Sequence, residues 1–318
     1  MKKLTSTPTL ADIQQAHLAI RPYINKTAVV TSESINTISG ANIFFKCENF
    51  QKVGAFKMRG ATYATLSLTK EEMQNGIATH SSGNHAQAVA LSAKKQGIPG
   101  YIVMPENSPI IKKNAVIGYG AEVTLCESTQ AARESTLEDI VEKTGAAFIH
   151  PYDNYNVICG QATASKELYE EVGELDIILS PIGGGGLMCG TALTTHYLFP
   201  KTKIIGTEPK EVNDAARSFQ SGFLQKNTTT NTIADGLRTN LSSKTFGIIQ
   251  QYVHEIITVE ESEIVEAMRL IWERMKIIVE PSAAVPFAAV LKRKDFFKGK
   301  KIGIIISGGN VDVGDLPF

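Results

Sequence analysis

The sequence predicts an α/β fold in which parallel sheets are covered by helices on both faces. Three observations lead to this prediction. Short apolar runs of strand length recur along the chain. Segments with apolar residues at helical spacing separate most of these runs, and polar or glycine-rich stretches follow several of them. Strands and helices that alternate in this order are typical of parallel sheets buried on both faces.

The predicted elements follow in chain order. The candidate strands cover residues 43–46, 76–79, 101–104, 122–125, 147–150, 177–180, 203–206 and 301–306. A representative helix covers 85–96, because the helical pattern ends at Gly97 and Pro99 lies shortly beyond. The sequence contains no internal repeat and no low-complexity linker, so we expect any second domain to be an insertion within the first.

Composition and charge argue against several classes of protein. The 318 residues are 43% hydrophobic and 20% charged, as in a globular protein with a substantial core. Lys and Arg together number 32, as do Asp and Glu, and the formal net charge is zero. We therefore expect no binding to nucleic acid or to an anionic membrane.

Cysteine usage and the N-terminus indicate the compartment. The four cysteines lie far apart and form no CxxC pair, which argues against a zinc site or a disulfide framework. The N-terminus starts with two lysines and then turns polar, unlike a signal peptide. No apolar run is long enough to span a bilayer. We therefore expect a soluble cytoplasmic protein.

The segment SSGNH at 81–85 follows a predicted strand, and ligands of parallel α/β sheets bind beyond the carboxyl ends of the strands. Ser and Asn are common helix caps, which would account for them without a ligand. The alternative is that the free amides and the positive end of the following helix bind a carboxylate or a phosphate. Both interpretations are open from the local sequence.

The glycine run at 183–186, within PIGGGGL, is a stronger signal. Consecutive glycines are costly in chain entropy, and a simple turn needs only one or two. A backbone that approaches an anion closely at the start of a helix explains the run better. No Lys-Ser/Thr pair follows the glycines, and the spacing does not fit GxGxxG. The sequence therefore predicts a phosphate site without a nucleotide motif.

Two further loops have both a structural and a functional interpretation. The segment SGGN at 307–310 reads as a tight turn with a capping serine, or as a hydroxyl placed to meet a polar ring atom. The segment GTEPKEVND at 206–214 carries several carboxylates. Such a loop is usually solvated surface, and ligation of Mg²⁺ or Ca²⁺ by its oxygens is the alternative.

Lys57 lies between small and apolar neighbours in GAFKMRG at 54–60. Its stem could lie on apolar surface while its charge reaches solvent, or its amine could be kept partly dry and nucleophilic. A dry lysine, a phosphate loop without a nucleotide motif and a carboxylate-binding helix start belong together if the phosphate is that of pyridoxal phosphate. Lys57 would then hold the cofactor's aldehyde as a Schiff base, and the helix start would hold an amino acid's carboxylate.

At these residues the sequence resembles the fold-type II pyridoxal-phosphate enzymes, specifically the serine racemase and serine/threonine dehydratase family. The resemblance covers nearly the whole chain, and its motifs are specific in combination. They are ENFQKVGAFKMRG at 48–60, SSGNH at 81–85, PIGGGGL at 181–187, IADG at 233–236, WERMK at 272–276, EPS at 280–282 and SGGNVD at 307–312.

The resemblance implies a tryptophan synthase β-like fold with two parallel-sheet α/β domains. The large cofactor-binding domain would comprise 1–69 and 150–318, and the small inserted domain 70–149. A homodimer is also implied. The chain ends soon after Asp312, so we expect no regulatory domain and no feedback control by isoleucine.

The resemblance also assigns roles to individual residues. Lys57 would carry the cofactor, with Phe56 packed beside the ring. The cofactor phosphate would be bound by Gly183, Gly184, Gly185, Gly186 and the amide of Leu187. Asn84 would meet the ring hydroxyl and Ser307 the pyridine nitrogen. The substrate carboxylate would be bound by Ser82, Gly83, Asn84 and His85. A divalent cation, Mg²⁺ or Ca²⁺, would be bound by Glu208, the carbonyl of Val212 and Asp214.

The reaction that the resemblance implies is removal of water from L-threonine or L-serine, which gives 2-oxobutanoate or pyruvate and ammonia. The freed Lys57 amine would remove the Cα proton. Ser307 is too weak an acid to keep the pyridine nitrogen protonated, so the ring would be a modest electron sink. This favours prompt loss of the β-hydroxyl over racemisation.

Three alternatives stay open. Ser82 occupies the place from which racemases of this family return a proton, so conversion of L-serine to D-serine is a rival reaction. Tyr152 argues against a pure racemase, because animal serine racemases have asparagine at this position and bacterial dehydratases resemble this chain. Arg133 falls where the family binds dicarboxylates, which adds L-threo-3-hydroxyaspartate as a substrate. A cofactor- or amino-acid-binding protein without catalysis is the third alternative, and an intact Lys57 beside Ser82 argues against it.

Overall fold

The computed structural model describes residues 3–81, 83–108 and 110–318. The strands among these residues are β1 Val29–Val30, β2 Asn42–Cys47, β3 Ile77–His80, β4 Gly100–Pro105, β5 Glu122–Cys126, β6 Ala147–Phe148, β7 Ile177–Pro181, β8 Lys203–Pro209, β9 Glu255–Val259 and β10 Lys301–Ile306.

The helices among the described residues alternate with these strands. They are α1 Leu10–Ile20, α2 Glu33–Ser39, α3 Lys57–Leu66, α4 Lys70–Gln74, α5 Asn84–Gln96, α6 Ile110–Gly118, α7 Gln130–Thr144, α8 Tyr155–Val172, α9 Gly186–Leu198, α10 Asp214–Ser221, α11 Ser243–Tyr252, α12 Glu261–Met275, α13 Pro281–Lys292 and α14 Lys294–Phe297. Within the described ranges, no helix is both long and apolar enough to cross a membrane.

The chain divides into two compact units. The first unit comprises Met1–Asn25 and Lys57–Gly160, and the second comprises Lys26–Phe56 and Gln161–Phe318. The predicted insertion at 70–149 stays a prediction as a domain. Its strands lie in the first unit, but that unit also contains residues 57–69 and 150–160 and the N-terminal segment.

The first unit contains a parallel sheet in the order β5-β4-β3-β6. The predicted helix at 85–96 is α5, which ends at Gly97 in the left-handed conformation, φ 65°, as expected for a glycine C-cap. The strand predicted at 147–150 is shorter in the structure, where β6 ends at Phe148. The carbonyl of Ile149 instead accepts hydrogen bonds from the side chains of Thr79 and His85.

The second unit contains a sheet in the order β1-β2-β10-β7-β8-β9. Its neighbouring strands are parallel except for β1, which pairs antiparallel with β2. β7 is buried along its whole length, as expected for a strand covered on both faces. α13 packs on this sheet and α12 packs against α13. The ring of Phe287 on α13 meets that of Phe45 edge to face at 5.9 Å.

The α/β fold with parallel sheets is therefore confirmed, with two strands that the sequence did not predict. β1 has only two residues and β9 reads Glu-Ile-Ile-Thr-Val. β9 pairs with β8 at the edge of the sheet, so its polar ends are compatible with a strand. Because the carboxyl ends of β7, β8 and β10 lie at one edge of the sheet, the segments that follow these strands share that edge.

Candidate active site

Lys57 is the first residue of α3 and is half-buried. Its Nζ donates a hydrogen bond to the carbonyl oxygen of Pro151 at 2.9 Å. The protein thus accepts at least one hydrogen bond from the amine. This environment is closer to that of a partly dry lysine than to that of a fully solvated one. The contact joins two segments that are 94 residues apart in the chain.

Pro151 lies in a turn that is closed by an imidazole. Nδ1 of His150 accepts the backbone amides of Tyr152 at 3.3 Å and of Asp153 at 2.8 Å. The rings of His150 and Tyr152 meet edge to face with their centroids 4.7 Å apart. An imidazole nitrogen that accepts hydrogen bonds carries no proton, so His150 is neutral and its proton is on Nε2.

The segment 81–85 leads from β3 into α5. Gly83 is the N-cap of α5 and makes no side-chain capping bond, while its amide donates to Ser81 Oγ at 3.2 Å. The helix thus starts without the cap that a serine or asparagine would give, which leaves its positive end available for an anion. Ser82 lies outside the described residues, and both of its predicted roles stay predictions.

His85 lies one residue further along α5 and is buried. Its Nε2 donates to the Ile149 carbonyl at 2.9 Å, while Nδ1 is buried without a partner among the described residues. Burial, assisted by the positive charge of Lys57, holds the pKa of His85 well below its ordinary value. The side chain is therefore neutral, and its backbone amide is the group that could bind a carboxylate.

Two cationic side chains lie near this helix start. Arg133, half-buried in the first turn of α7, adds to burial in lowering the pKa of His80, the last residue of β3. Nζ of Lys112 is 3.9 Å from the position that a Cβ on Gly83 would occupy. The two cations thus lie near the segment for which the sequence predicts carboxylate binding, although Glu134 opposes the effect of Arg133 on His80. Lys112 is a residue that sequence reasoning missed.

In the second unit, the glycine run separates β7 from α9. Gly185 has φ 89° and caps α9 without a side-chain bond. A Cβ on Gly183 would lie 2.8 Å from the Gly236 carbonyl, and one on Gly185 would lie 2.8 Å from Leu241 and Thr245 atoms. These two glycines are therefore required by neighbouring protein segments, a reason that the sequence did not reveal. The start of α9, with Gly186 and Leu187 as its first residues, is still a geometry suited to an anion.

Ser307 directly follows β10 and is buried. Its Oγ has no hydrogen-bond partner among the described residues, and an unsatisfied buried hydroxyl costs about 1–3 kcal/mol. Its carbonyl accepts the amide of Phe56, the half-buried residue before Lys57, at 3.0 Å. A ligand atom such as a pyridine nitrogen would satisfy the hydroxyl, so this residue fits the predicted cofactor.

Gly308, the next residue, is confined by Glu280. The carboxylate Oε1 of Glu280 lies 2.7 Å from the position of a Cβ on Gly308, and Glu280 is almost fully buried. Sequence reasoning did not assign a role to Glu280, although the EPS motif at 280–282 contains it. Its side chain explains why a glycine follows Ser307.

The carboxylates of Glu208 and Asp214 are buried, so the solvated-surface interpretation of the 206–214 loop is wrong for these two residues. Both Glu208 oxygens accept amides at the start of α10, from Ala215 and Ala216. Asp214 accepts from Asn227 Nδ2 at 2.7 Å and from the Leu241 amide at 2.8 Å.

This arrangement raises both pKa values. Burial and the charge of Asp214 raise the pKa of Glu208 well above its ordinary range, and burial raises the pKa of Asp214 to about 6. A bound cation would offset the repulsion between two buried carboxylates. Among the described residues, however, no three His, Cys, Asp or Glu side chains form a cluster that could hold a metal. Glu208, Asp214 and the buried Val212 therefore stay a predicted site, with a backbone carbonyl as the third ligand.

Comparison with known proteins identifies relatives over nearly the whole chain. Residues 20–308 match the family described as "Pyridoxal-phosphate dependent enzyme". A serine racemase from Dictyostelium discoideum is 50% identical over 98% of this chain and 97% of its own. An L-threo-3-hydroxyaspartate ammonia-lyase from Saccharomyces cerevisiae is 48% identical over 96% of this chain and 94% of its own. The solved structure of the T.th. threonine deaminase is 39% identical, with a TM-score of 0.92 over 96% of this chain and 99% of its own.

Proposed function

Because the chain belongs to the pyridoxal-phosphate-dependent enzyme family, we propose that it is a lyase that removes water from L-threonine or L-serine. The products are ammonia with 2-oxobutanoate or pyruvate. The observation that carries the proposal is the buried hydroxyl of Ser307, which has no partner among the described residues. When bound, pyridoxal phosphate supplies an aldehyde that bonds the substrate's amine and a ring that draws electrons from its α carbon.

Ser307 favours elimination because of its weak acidity. In this proposal its hydroxyl donates to the pyridine nitrogen but does not transfer a proton to it. With only this weak acid beside it, the cofactor would draw electrons from the α carbon modestly. Prompt loss of the β-hydroxyl would then be faster than racemisation.

Lys57 would hold the cofactor's aldehyde, and its free amine would remove the proton from the substrate's α carbon. A lysine can act as a general base when its surroundings favour the neutral amine. Its half-buried position supports this role. The hydrogen bond to the Pro151 carbonyl gives the free amine a defined position, and a base in a defined position is more effective than a mobile one.

Two helix starts bind the anionic groups. The start of α5, with Gly83, Asn84 and the amide of His85, takes the substrate carboxylate, and Asn84 also meets the ring hydroxyl. The start of α9, with the glycines and the Leu187 amide, takes the cofactor phosphate. Both helices have 13 residues and lack a side-chain cap, which supports anion binding at each.

A divalent cation and a second copy of the chain complete the proposal. The cation, Mg²⁺ or Ca²⁺, binds Glu208, the Val212 carbonyl and Asp214 in the 206–214 loop. Oxygen ligands of this kind suit both ions, and the raised pKa values of the two carboxylates support a cation there. The homodimer implied by the resemblance stays a prediction.

The proposal is tested with the purified holoenzyme and Lys57→Ala. We expect L-threonine and L-serine to yield keto acid with the wild type, and borohydride to trap the cofactor on the peptide that contains Lys57. Lys57→Ala should lose the visible absorbance band and the keto acid together. A cofactor trapped on a different lysine, or a colourless wild type, would contradict the proposal.

A second candidate substrate is L-threo-3-hydroxyaspartate, which the position of Arg133 favours. Its guanidinium acts electrostatically on His80, which ends the strand before the carboxylate-binding segment. Relatives that are 46% and 48% identical are named for hydroxyaspartate. We expect Arg133→Gln to raise the KM for hydroxyaspartate about tenfold or more, as for loss of a charged hydrogen bond, with little effect on L-threonine.

The control for this experiment is Arg269→Gln, which removes an exposed arginine that pairs with Glu273 on α12. This variant should leave both substrates unaffected. Equal losses for hydroxyaspartate and L-threonine in Arg133→Gln would show that Arg133 does not select the second carboxylate. The same assays should record D-serine, because several relatives are named serine racemase and Ser82 is the candidate proton donor. A Ser82→Ala variant should lose D-serine and largely keep keto acid from L-threonine.

A further inference from the structure

The Pro151 carbonyl, which contacts Lys57, belongs to a peptide group whose N–H donates to His150. The oxygen of Pro151 and the amide nitrogen of Tyr152 belong to one planar peptide unit. The bond is trans, as are all peptide bonds in the described residues, so the C=O and N–H point in opposite directions. The oxygen accepts from Lys57 Nζ at 2.9 Å, and the amide donates to His150 Nδ1 at 3.3 Å.

A second hydrogen bond to the imidazole further restrains this turn. The amide of Asp153 donates to the same Nδ1 at 2.8 Å. The ring itself is held between aromatic neighbours, since its centroid lies 5.3 Å from that of Phe148 and 4.7 Å from that of Tyr152. With the ring fixed and two amides bound to one atom, the peptide plane after Pro151 has little freedom to rotate.

Hydrogen bonds in a chain also strengthen one another. A peptide whose N–H donates to an acceptor carries more negative charge on its oxygen, and the following hydrogen bond gains roughly 10–30%. The Tyr152 amide donates to His150 while the Pro151 oxygen accepts from Lys57. His150 therefore affects both the direction and the strength of the acceptor that the lysine amine meets.

We propose that His150 is a positioning residue for Lys57. It orients the Pro151–Tyr152 peptide group so that the carbonyl holds the lysine amine in one place whenever the amine is not bonded to the cofactor. The inference rests on the proposed function, in which that amine removes the substrate's α proton. His150 itself transfers no proton and contacts no substrate in this proposal.

Two substitutions distinguish the role of the hydrogen-bond acceptor of His150 from that of its ring. In His150→Asn the side-chain oxygen can accept the amide two residues on, as in an Asx-turn, but the ring is lost. His150→Phe keeps a ring and removes the acceptor. His254→Phe is the matched control, because Nδ1 of His254 accepts the Ile204 amide at 3.1 Å and this contact lies in the second unit.

The first measurement uses the apoprotein and needs no activity. Trace acetylation with acetic anhydride, followed by peptide mass mapping, gives the reactivity of Lys57 relative to the other lysines. An amine held by the Pro151 carbonyl is less free to attack the anhydride than one released from it. We expect Lys57 to react several-fold faster in His150→Phe than in the wild type, His150→Asn or His254→Phe.

The second measurement is steady-state formation of keto acid by the holoenzymes. We expect kcat to fall about 10- to 100-fold in His150→Phe, the range for a misplaced catalytic group, with KM changed much less. His150→Asn should stay within a few-fold of the wild type. The expected pattern thus has opposite signs in the two assays, faster acetylation of Lys57 with slower turnover. A general loss of folding would also speed acetylation of other buried lysines such as Lys46, so the reactivity of Lys46 should stay unchanged in His150→Phe.

Two results would overturn the inference. If His150→Asn is as impaired as His150→Phe, the ring acts directly and not through the peptide group. If His150→Phe matches the wild type in both assays, the carbonyl does not depend on His150. Should His150→Phe fail to fold, His150→Ala removes the same acceptor and takes its place. Failure of the proposed function is recognised separately, because the wild type would then form no keto acid and no borohydride adduct at Lys57.

Discussion

The Ser307 side chain is expected to be unfavourable in the apoprotein and useful in the holoenzyme. Its hydroxyl is buried and unpaired among the described residues, and it follows a strand that is buried almost throughout. Unpaired buried groups are uncommon in native proteins and need an explanation. The predicted contact with the pyridine nitrogen supplies one.

This explanation predicts effects of opposite sign in Ser307→Ala. The apoprotein should be more stable by about 1 kcal/mol, because a buried hydroxyl without a partner is removed. The affinity for pyridoxal phosphate should fall, because the hydrogen bond to the ring is lost. Thermal unfolding with and without the cofactor measures both effects.

Thr191→Val is the control for this prediction. The Thr191 hydroxyl is also buried and unpaired among the described residues, within α9. This variant should stabilise the apoprotein similarly and leave cofactor affinity unchanged. Destabilisation of the apoprotein by Ser307→Ala would mean that its hydroxyl has a structural role.

At the scale of elements, the connection from β7 to α9 combines a conformational and a packing requirement. Gly185 has φ 89°, in the region that favours glycine, and Leu241 and Thr245 occupy the space beside it. The glycine is thus needed even before any ligand is considered. The same geometry leaves the amides at the start of α9 without a capping side chain.

Gly185→Ala should therefore be costly for two separable reasons. Gly222 has a similar φ of 76° with no atom within 4 Å of a Cβ, so Gly222→Ala reports the backbone strain alone, about 1–2 kcal/mol. We expect Gly185→Ala to lose more than this and also to weaken cofactor binding, as measured by urea unfolding and by titration with pyridoxal phosphate. Equal losses in the two variants would exclude the packing contribution.

At the scale of the whole molecule, the 206–214 loop connects a proposed ligand to global stability. Glu208 and Asp214 are buried carboxylates with raised pKa values. Without a cation, burial disfavours the charged forms of both carboxylates, and an ion that binds only the folded state stabilises it by mass action. The proposed cation would thus act on the whole second unit and not only on its loop.

Removal of the cation should lower the melting temperature of the purified protein, and added Mg²⁺ or Ca²⁺ should restore it. An excess of about a hundredfold over the Kd corresponds to about 2.7 kcal/mol. Glu208→Gln should abolish the response to the ion while keeping a side chain of similar size. An unchanged melting temperature on chelation would remove Glu208, Val212 and Asp214 from the proposed cation site.

The sequence by itself determined the alternation of strands and helices, and with it the fold class, because hydrophobic periodicity is a local property. It also located the lysine, the glycine run and the serine after the last strand. Only the tertiary structure decided that Glu208 and Asp214 are buried, that Leu241 and Thr245 require Gly185, and that Lys57 contacts the Pro151 carbonyl. Burial, and contacts between distant segments such as that of Lys57 with Pro151, 94 residues apart, depend on how the chain packs, and no local pattern encodes them.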